Sequence, residues 1–111
     1  MFEREKQGVV DVIRGDVPLN VEHVEAVADL LEACLGKGQP YVVLDFEAIP
    51  LIDSAGLELL LDFKERFRQV GGDLRLVSPN SLCAEILSVT QVGEGFEIFS
   101  EPLSAVGSFV R

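Results

Sequence analysis

Histidine occurs once in this chain and cysteine only twice, and basic residues are outnumbered 19 to 9 by acidic ones. Long apolar runs are missing too. A membrane-spanning helix needs roughly 20 consecutive apolar residues, so membrane insertion is not expected. The opening stretch Met1-Phe2-Glu3-Arg4-Glu5-Lys6 alternates charges and lacks the apolar segment of a secretory signal. A cytoplasmic location is expected. The net charge of −10 disfavours nucleic acid and anionic membrane as direct partners, while it permits a basic protein. Cys34 and Cys83 fall at apolar helical positions without metal-ligand spacing, so they read as small core residues rather than a redox pair.

Catalytic signatures are equally scarce. There is no glycine-rich phosphate loop with a lysine and no Gly-x-Ser-x-Gly elbow. A serine nucleophile needs a base, and the single histidine, His23, lies among acidic residues near a predicted helix start, where an exposed surface role is expected. Asp45 and Asp53 alone are too few ligands to make a divalent-cation site. No enzyme activity, cofactor or metal is expected.

What the chain does have is a packable pattern. At 111 residues and 48% hydrophobic content it suits one domain over 1–111. Gly8 to Arg14 reads as a strand, with Val9, Val10, Val12 and Ile13 suggesting partial burial on both faces. A first helix is predicted from about Asn20, with Val24, Val27, Ala28, Leu31, Cys34 and Leu35 as its buried stripe. Glu22, Glu25, Asp29 and Glu32 form an acidic stripe beside it, and Gly36-Lys37-Gly38 ends it. Tyr41 to Phe46 is too continuously apolar for a one-sided strand and reads as the central, twice-covered one.

A second helix is predicted from Ser54 to about Val70. Its apolar set, Leu57, Leu59, Leu60, Leu61, Phe63, Phe67 and Val70, is wider than one packing stripe. At about 100° per residue, Leu59, Phe63 and Val70 fall on one edge and Leu57 and Leu61 on the other. Leu59 and Phe63 therefore read either as surface awaiting a partner or as packing against a neighbouring element. Leu74 to Ser78 is a further strand, and Pro79-Asn80-Ser81 opens a third helix carrying Leu82, Ile86 and Leu87. A turn at Gly93 and Gly95 leads into a short strand, Phe96 to Phe99, and Ser100-Glu101-Pro102 opens a last helix. Alternating strands and helices after residue 40 imply parallel crossovers, preceded by N-terminal strands that pair antiparallel. The expected fold is α/β: a mixed sheet packed against about four helices.

The run from Val42 to Leu57 carries most of the functional information. It reads as a buried strand, a short loop, and a serine at a helix start. Helix starts collect unpaired N–H groups and partial positive charge, and so suit a phosphate. Ser54, beside Asp53 and near Gly56, reads as a phosphorylation switch or as an N-cap hydroxyl that satisfies backbone donors. Asp45, Asp53 and Ser54 all follow the strand at 41–46, where sites in α/β sheets gather, so a small polar cluster is expected there.

The same run resembles the STAS domain, shared by anti-sigma factor antagonists and the cytoplasmic ends of sulphate transporters. The matching residues are Leu44-Asp45, the hydrophobic loop Ile49 to Ile52, and Asp53-Ser54-Ala55-Gly56-Leu57. Further matches are Gly71-Gly72, the strand Asp73 to Ser78, and Ile86-Leu87-Ser88-Val89-Thr90. The resemblance covers roughly 8–109 and is strongest over 41–100. It implies that Ser54 is the phosphoacceptor, with Asp45, Asp53, Ala55 and Gly56 as its neighbours. Asp53 would help set its geometry and charge, and Gly56 would allow close approach. Glu58, Leu59, Asp62 and Phe63 would form part of the docking face.

The implied function is partner switching. Unphosphorylated antagonist binds an anti-sigma factor that is also a serine kinase; phosphorylation of Ser54 releases it, and a phosphatase resets it. The alternative is a small STAS subunit of a lipid-transport ABC complex, bound constitutively to its ATPase. Three positions depart from the family pattern. Ala55 replaces a second hydroxyl residue, Gln91 replaces a glycine after Thr90, and residues 15–20 match the Gly-x-Leu-Asp lead-in to the first helix only loosely.

Overall fold

In a computed structural model that describes residues 1–36 and 38–110, β1 (Phe2–Gln7) and β2 (Val10–Gly15) form an antiparallel hairpin. Gly8 makes the two-residue turn possible, with φ +63°. The antiparallel pairing of N-terminal strands is the expected one, but the sequence reading places a strand only at Gly8 to Arg14, and β1 adds residues 2–7 to it. Glu3, Arg4, Glu5 and Lys6 are all exposed, as suits an edge strand that resists pairing with other chains.

From β2 onward the sheet grows in chain order and in parallel: β3 (Tyr41–Asp45), β4 (Asp73–Val77) and β5 (Ile98–Phe99) follow in turn. The crossovers are α1 (Val24–Leu35), α2 (Ser54–Gln69) and α3 (Ser81–Val89), and α4 (Pro102–Phe109) closes the fold. The predicted mixed sheet with four helices is the observed one.

Strand alternation divides the core in two. Ile13, Val42, Leu44, Leu74 and Leu76 face α1, α2 and α3. Val10, Val12, Val43 and Val77 face the other way, beneath Ala105 of α4. β3 is thus covered on both faces, which explains its unbroken apolar run. Cys34 and Cys83 are buried free thiols, and burial pushes both pKa values up.

Helix starts follow local capping. Asn20 opens a turn rather than α1 itself: its carbonyl accepts from His23 and Val24, and its side chain accepts from Glu22 N–H at 3.1 Å. α1 begins only at Val24. His23 is half-buried, with Nδ1 2.9 Å from Asn20 Oδ1, not the exposed residue expected. Lys37, within the predicted glycine stop, lies outside the described residues; Gly36 keeps φ at −75° and Gly38 takes the left-handed φ of +87°.

Phe63 is the main correction in α2. It is 2% exposed and packs edge-on to Phe67, with ring centroids 5.8 Å apart. Phe63 belongs to the core with Leu60 and Phe67, and so leaves the proposed docking face. Leu59 stays half-buried and Leu61 is exposed. Gln91 adopts φ +64°, the left-handed conformation in which glycine is the easy residue.

Candidate functional site

The segment that delivers Ser54 is held from both sides. Phe46, Ile49 and Ile52 sink into the core and anchor it from beneath. On one flank Leu19 pairs with it as a parallel bridge to Ile52; Leu19 N–H donates to Leu51 O at 2.9 Å, and Asp53 N–H to Leu19 O at 3.3 Å. On the other flank Asn80 Nδ2 donates to Pro50 O at 3.1 Å. The same Asn80 caps α3 by accepting from Cys83 N–H at 2.7 Å. One cap residue therefore ties the loop to a neighbouring crossover helix.

Asp53, not Ser54, is the N-cap of α2. Its Oδ1 accepts from Gly56 N–H at 3.0 Å and its Oδ2 from Val21 N–H at 3.2 Å. With extended backbone it fills the N-cap role, and its charge suits the positive end of the helix. Ser54 is then the first helical residue. Its side chain takes no part in the cap and the residue is exposed.

Gly56 has a role that the sequence did not disclose. A Cβ there would lie 2.3 Å from the Leu19 carbonyl oxygen and 2.7 Å from Ile52 Cγ1. The space it leaves is taken inside the molecule, by the Leu19 segment, and not by an incoming partner.

Asp45 does not join Asp53. It is 5% exposed, accepts from Glu47 N–H at 3.0 Å, and pairs with Arg14 Nε at 3.4 Å. Arg14 also bonds Glu5 at 2.6 Å, and that bond above all raises the Arg14 pKa, with Asp45 adding to it. The expected polar cluster thus separates into two. Asp45 joins β3 to the hairpin, and Asp53 fixes the start of α2. Among the described residues, no group of histidine, cysteine and acidic side chains could hold a metal ion.

Beyond Ser54, α1 and α2 enclose a shallow groove of about 320 Å³. Val24, Ala28 and Leu59 supply an apolar floor; Glu25, Glu58 and Asp62 supply acidic walls; Ala55 lines the end next to Ser54. The structure therefore brings Ala55, Glu58, Leu59 and Asp62 to one surface and leaves Phe63 out. Glu25 was legible only as part of an acidic stripe, because nothing in the sequence says which helix lies beside α1.

No helix among the described residues is long and apolar enough to cross a membrane. Comparison of the sequence with curated proteins finds no match. Several solved structures share the fold. The anti-sigma-factor antagonist (STAS) domain protein of Planctomyces limnophilus is 24% identical, with 99% of this chain and 98% of that one covered and a TM-score of 0.87. The anti-sigma factor antagonist SpoIIAA of Bacillus is 21% identical. Its unphosphorylated form gives a TM-score of 0.84 over 98% of this chain and 96% of that one, and its phosphorylated form 0.76 over the full length of both. The murine anion transporter Slc26a9 is 18% identical with a TM-score of 0.77, covering 92% of this chain and 18% of the transporter. At these identities the likeness concerns the fold. The STAS domain family model matches residues 1–105, and the chain accordingly belongs to the STAS domain family.

Proposed function

We propose that this protein is an anti-sigma factor antagonist switched by phosphorylation of Ser54. The observation that carries the reading is the division of labour at the start of α2. Asp53 does the capping, so the Ser54 hydroxyl is exposed and uncommitted on a rigidly held backbone. A phosphoacceptor needs little more, because the kinase brings the catalytic groups. In the unphosphorylated state the protein binds an anti-sigma factor that is also a serine kinase and so frees the sigma factor. The docking face includes Glu58, Leu59 and Asp62 beside Ser54. A phosphatase restores the binding state, and all of this takes place in the cytoplasm without turnover by the antagonist itself.

The off-state has an electrostatic basis. A kinase acting on Ser54 must bring its nucleotide phosphates to the hydroxyl. The product phosphoserine, carrying about −1.5 to −2 charges, then faces the phosphates left on the nucleotide and the carboxylate of Asp53. Like charges desolvated at an interface can cost several kcal/mol, enough to release the partner.

Titration calorimetry with the cognate kinase, on unmodified and phosphorylated chain and on Ser54→Asp, tests the reading. Binding by the unmodified chain only, with phosphate mapped to Ser54 alone, is the expected result. Equal binding by both forms would remove the switch and favour a subunit that binds its ATPase constitutively.

A further inference from the structure

The groove between α1 and α2 is bridged at one end and open at the other. At the end far from Ser54, Arg66 of α2 forms a short ion pair with Glu32 of α1. It also lies 3.5 Å from Asp62 and stacks over Phe63, 4.6 Å from the ring centroid. The molecule thus ties its two helices together with an arginine that spans acidic side chains and rests on an apolar surface. Nearer Ser54 acidic positions recur, two turns before Glu32 on α1 at Glu25 and one turn before Asp62 on α2 at Glu58, both exposed. Among the described residues no cation pairs with either. Beneath them Val24, Ala28 and Leu59 remain half-exposed to solvent.

We propose that this open half of the groove docks an arginine-bearing amphipathic segment of the protein partner. Its aliphatic side chains rest on Val24, Ala28 and Leu59, and its guanidinium lies between Glu25 and Glu58 as Arg66 does between Glu32 and Asp62. The inference rests on the reading of this face as the docking surface and names the chemistry of what docks. Arginine suits the place better than lysine because its planar fork serves two carboxylates and stacks on apolar surface. Nucleic acid would meet repulsion here, and a second copy would bring another net charge of −10. The groove and the switch act separately. A phosphate on Ser54 opposes the nucleotide phosphates of a kinase and does not repel an arginine.

The test is an NMR titration of the isotope-labelled full chain with two synthetic helical peptides of about twelve residues. Both carry leucines at helical spacing; one has arginines between them, the other glutamines. The arginine peptide is expected to shift amides over 24–28 and 55–62, and to bind at least about tenfold more tightly than the glutamine peptide. Its affinity should fall by about the same factor in the double variant Glu25→Gln/Glu58→Gln, and also as salt rises from about 0.05 M to about 0.5 M. Thermal melts of the double variant should match those of the parent, since both side chains are exposed. No binding, shifts centred elsewhere, or equal binding by the glutamine peptide or the double variant would overturn the inference. The switch is read independently: a chain that takes the peptide in the groove but is never phosphorylated keeps this site and loses the partner switch.

Discussion

At the scale of single residues, Gly56 and Phe63 carry consequences that can be measured. Gly56 lies against the Leu19 carbonyl, so Gly56→Ala must push the Leu19 segment off the start of α2. Overpacking of this kind costs about 1–3 kcal/mol, and a denaturant melt indistinguishable from the parent's would show that the segment yields freely. Phe63→Ala removes a ring that is 2% exposed, and a loss of about 3–5 kcal/mol is expected. A change under about 1 kcal/mol in the same melts would return Phe63 to the surface. The two differ in how legible they were. The Asp53-Ser54 pair at a helix start could be read from the string, because capping chemistry is local. Phe63 could not be placed, because a wide apolar set on one helix does not say which edge meets a neighbour. Gly56 was noticed for the room it leaves, but what fills that room comes from residue 19, more than thirty positions away.

Elements show the same split between local and distant information. α2, α3 and α4 begin where caps and a proline mark them, at Asp53, Asn80 and Pro102. β1, though an antiparallel N-terminal pair was expected, had no residues assigned to it, because a charged edge strand has neither the alternation nor the apolar run that identifies strands. The join between α2, β4 and α4 was invisible as well. Lys64 of α2 lies 2.7 Å from Asp73 Oδ1, a Coulombic contact without hydrogen-bond alignment. Arg75 Nε donates to Asp73 Oδ2 at 3.1 Å, and its Nη1 to Ser108 of α4 at 2.6 Å. The Arg75 guanidinium also lies 3.9 Å from the Phe109 ring centroid.

Burial pushes the Asp73 pKa up, but the ammonium of Lys64 at 2.7 Å, helped by the hydrogen bond from Arg75, outweighs it and holds the carboxyl below its ordinary value of 3.8. A carboxyl depressed in the folded state stabilises above its unfolded pKa, and that stabilisation is lost as pH falls through the folded one. Asp73→Asn should therefore cost most stability at neutral pH. Its difference from the parent should shrink as pH drops below about 4, as followed by urea melts across that range. A difference independent of pH would assign Asp73 a packing role only.

Over the whole molecule, the sheet order equals the chain order, so each strand after the hairpin docks beside the one made before it. That monotonic order made the architecture readable in advance, since every crossover is a local strand-helix-strand unit. The groove belongs to a different kind of information. It exists because α1 and α2 lie side by side over the sheet, and its charge comes from surface residues whose neighbours no periodicity reveals. Asp45 and Asp53 teach the same lesson in reverse: close in sequence and both acidic, they are committed to different partners by the folded chain.

The layering of the core also sets a timetable for synthesis. Domains emerge from the ribosome N-terminus first, and the three-helix face of this one can be assembled from residues that have already appeared. The opposite face cannot. Val10, Val12, Val43 and Val77 find their cover in α4, whose residues, 102–109, are made after every strand. Until residues 102–109 are made, the nascent chain therefore carries a bare valine sheet, and it is exposed to unwanted contacts for as long as α4 lags behind the strands it covers.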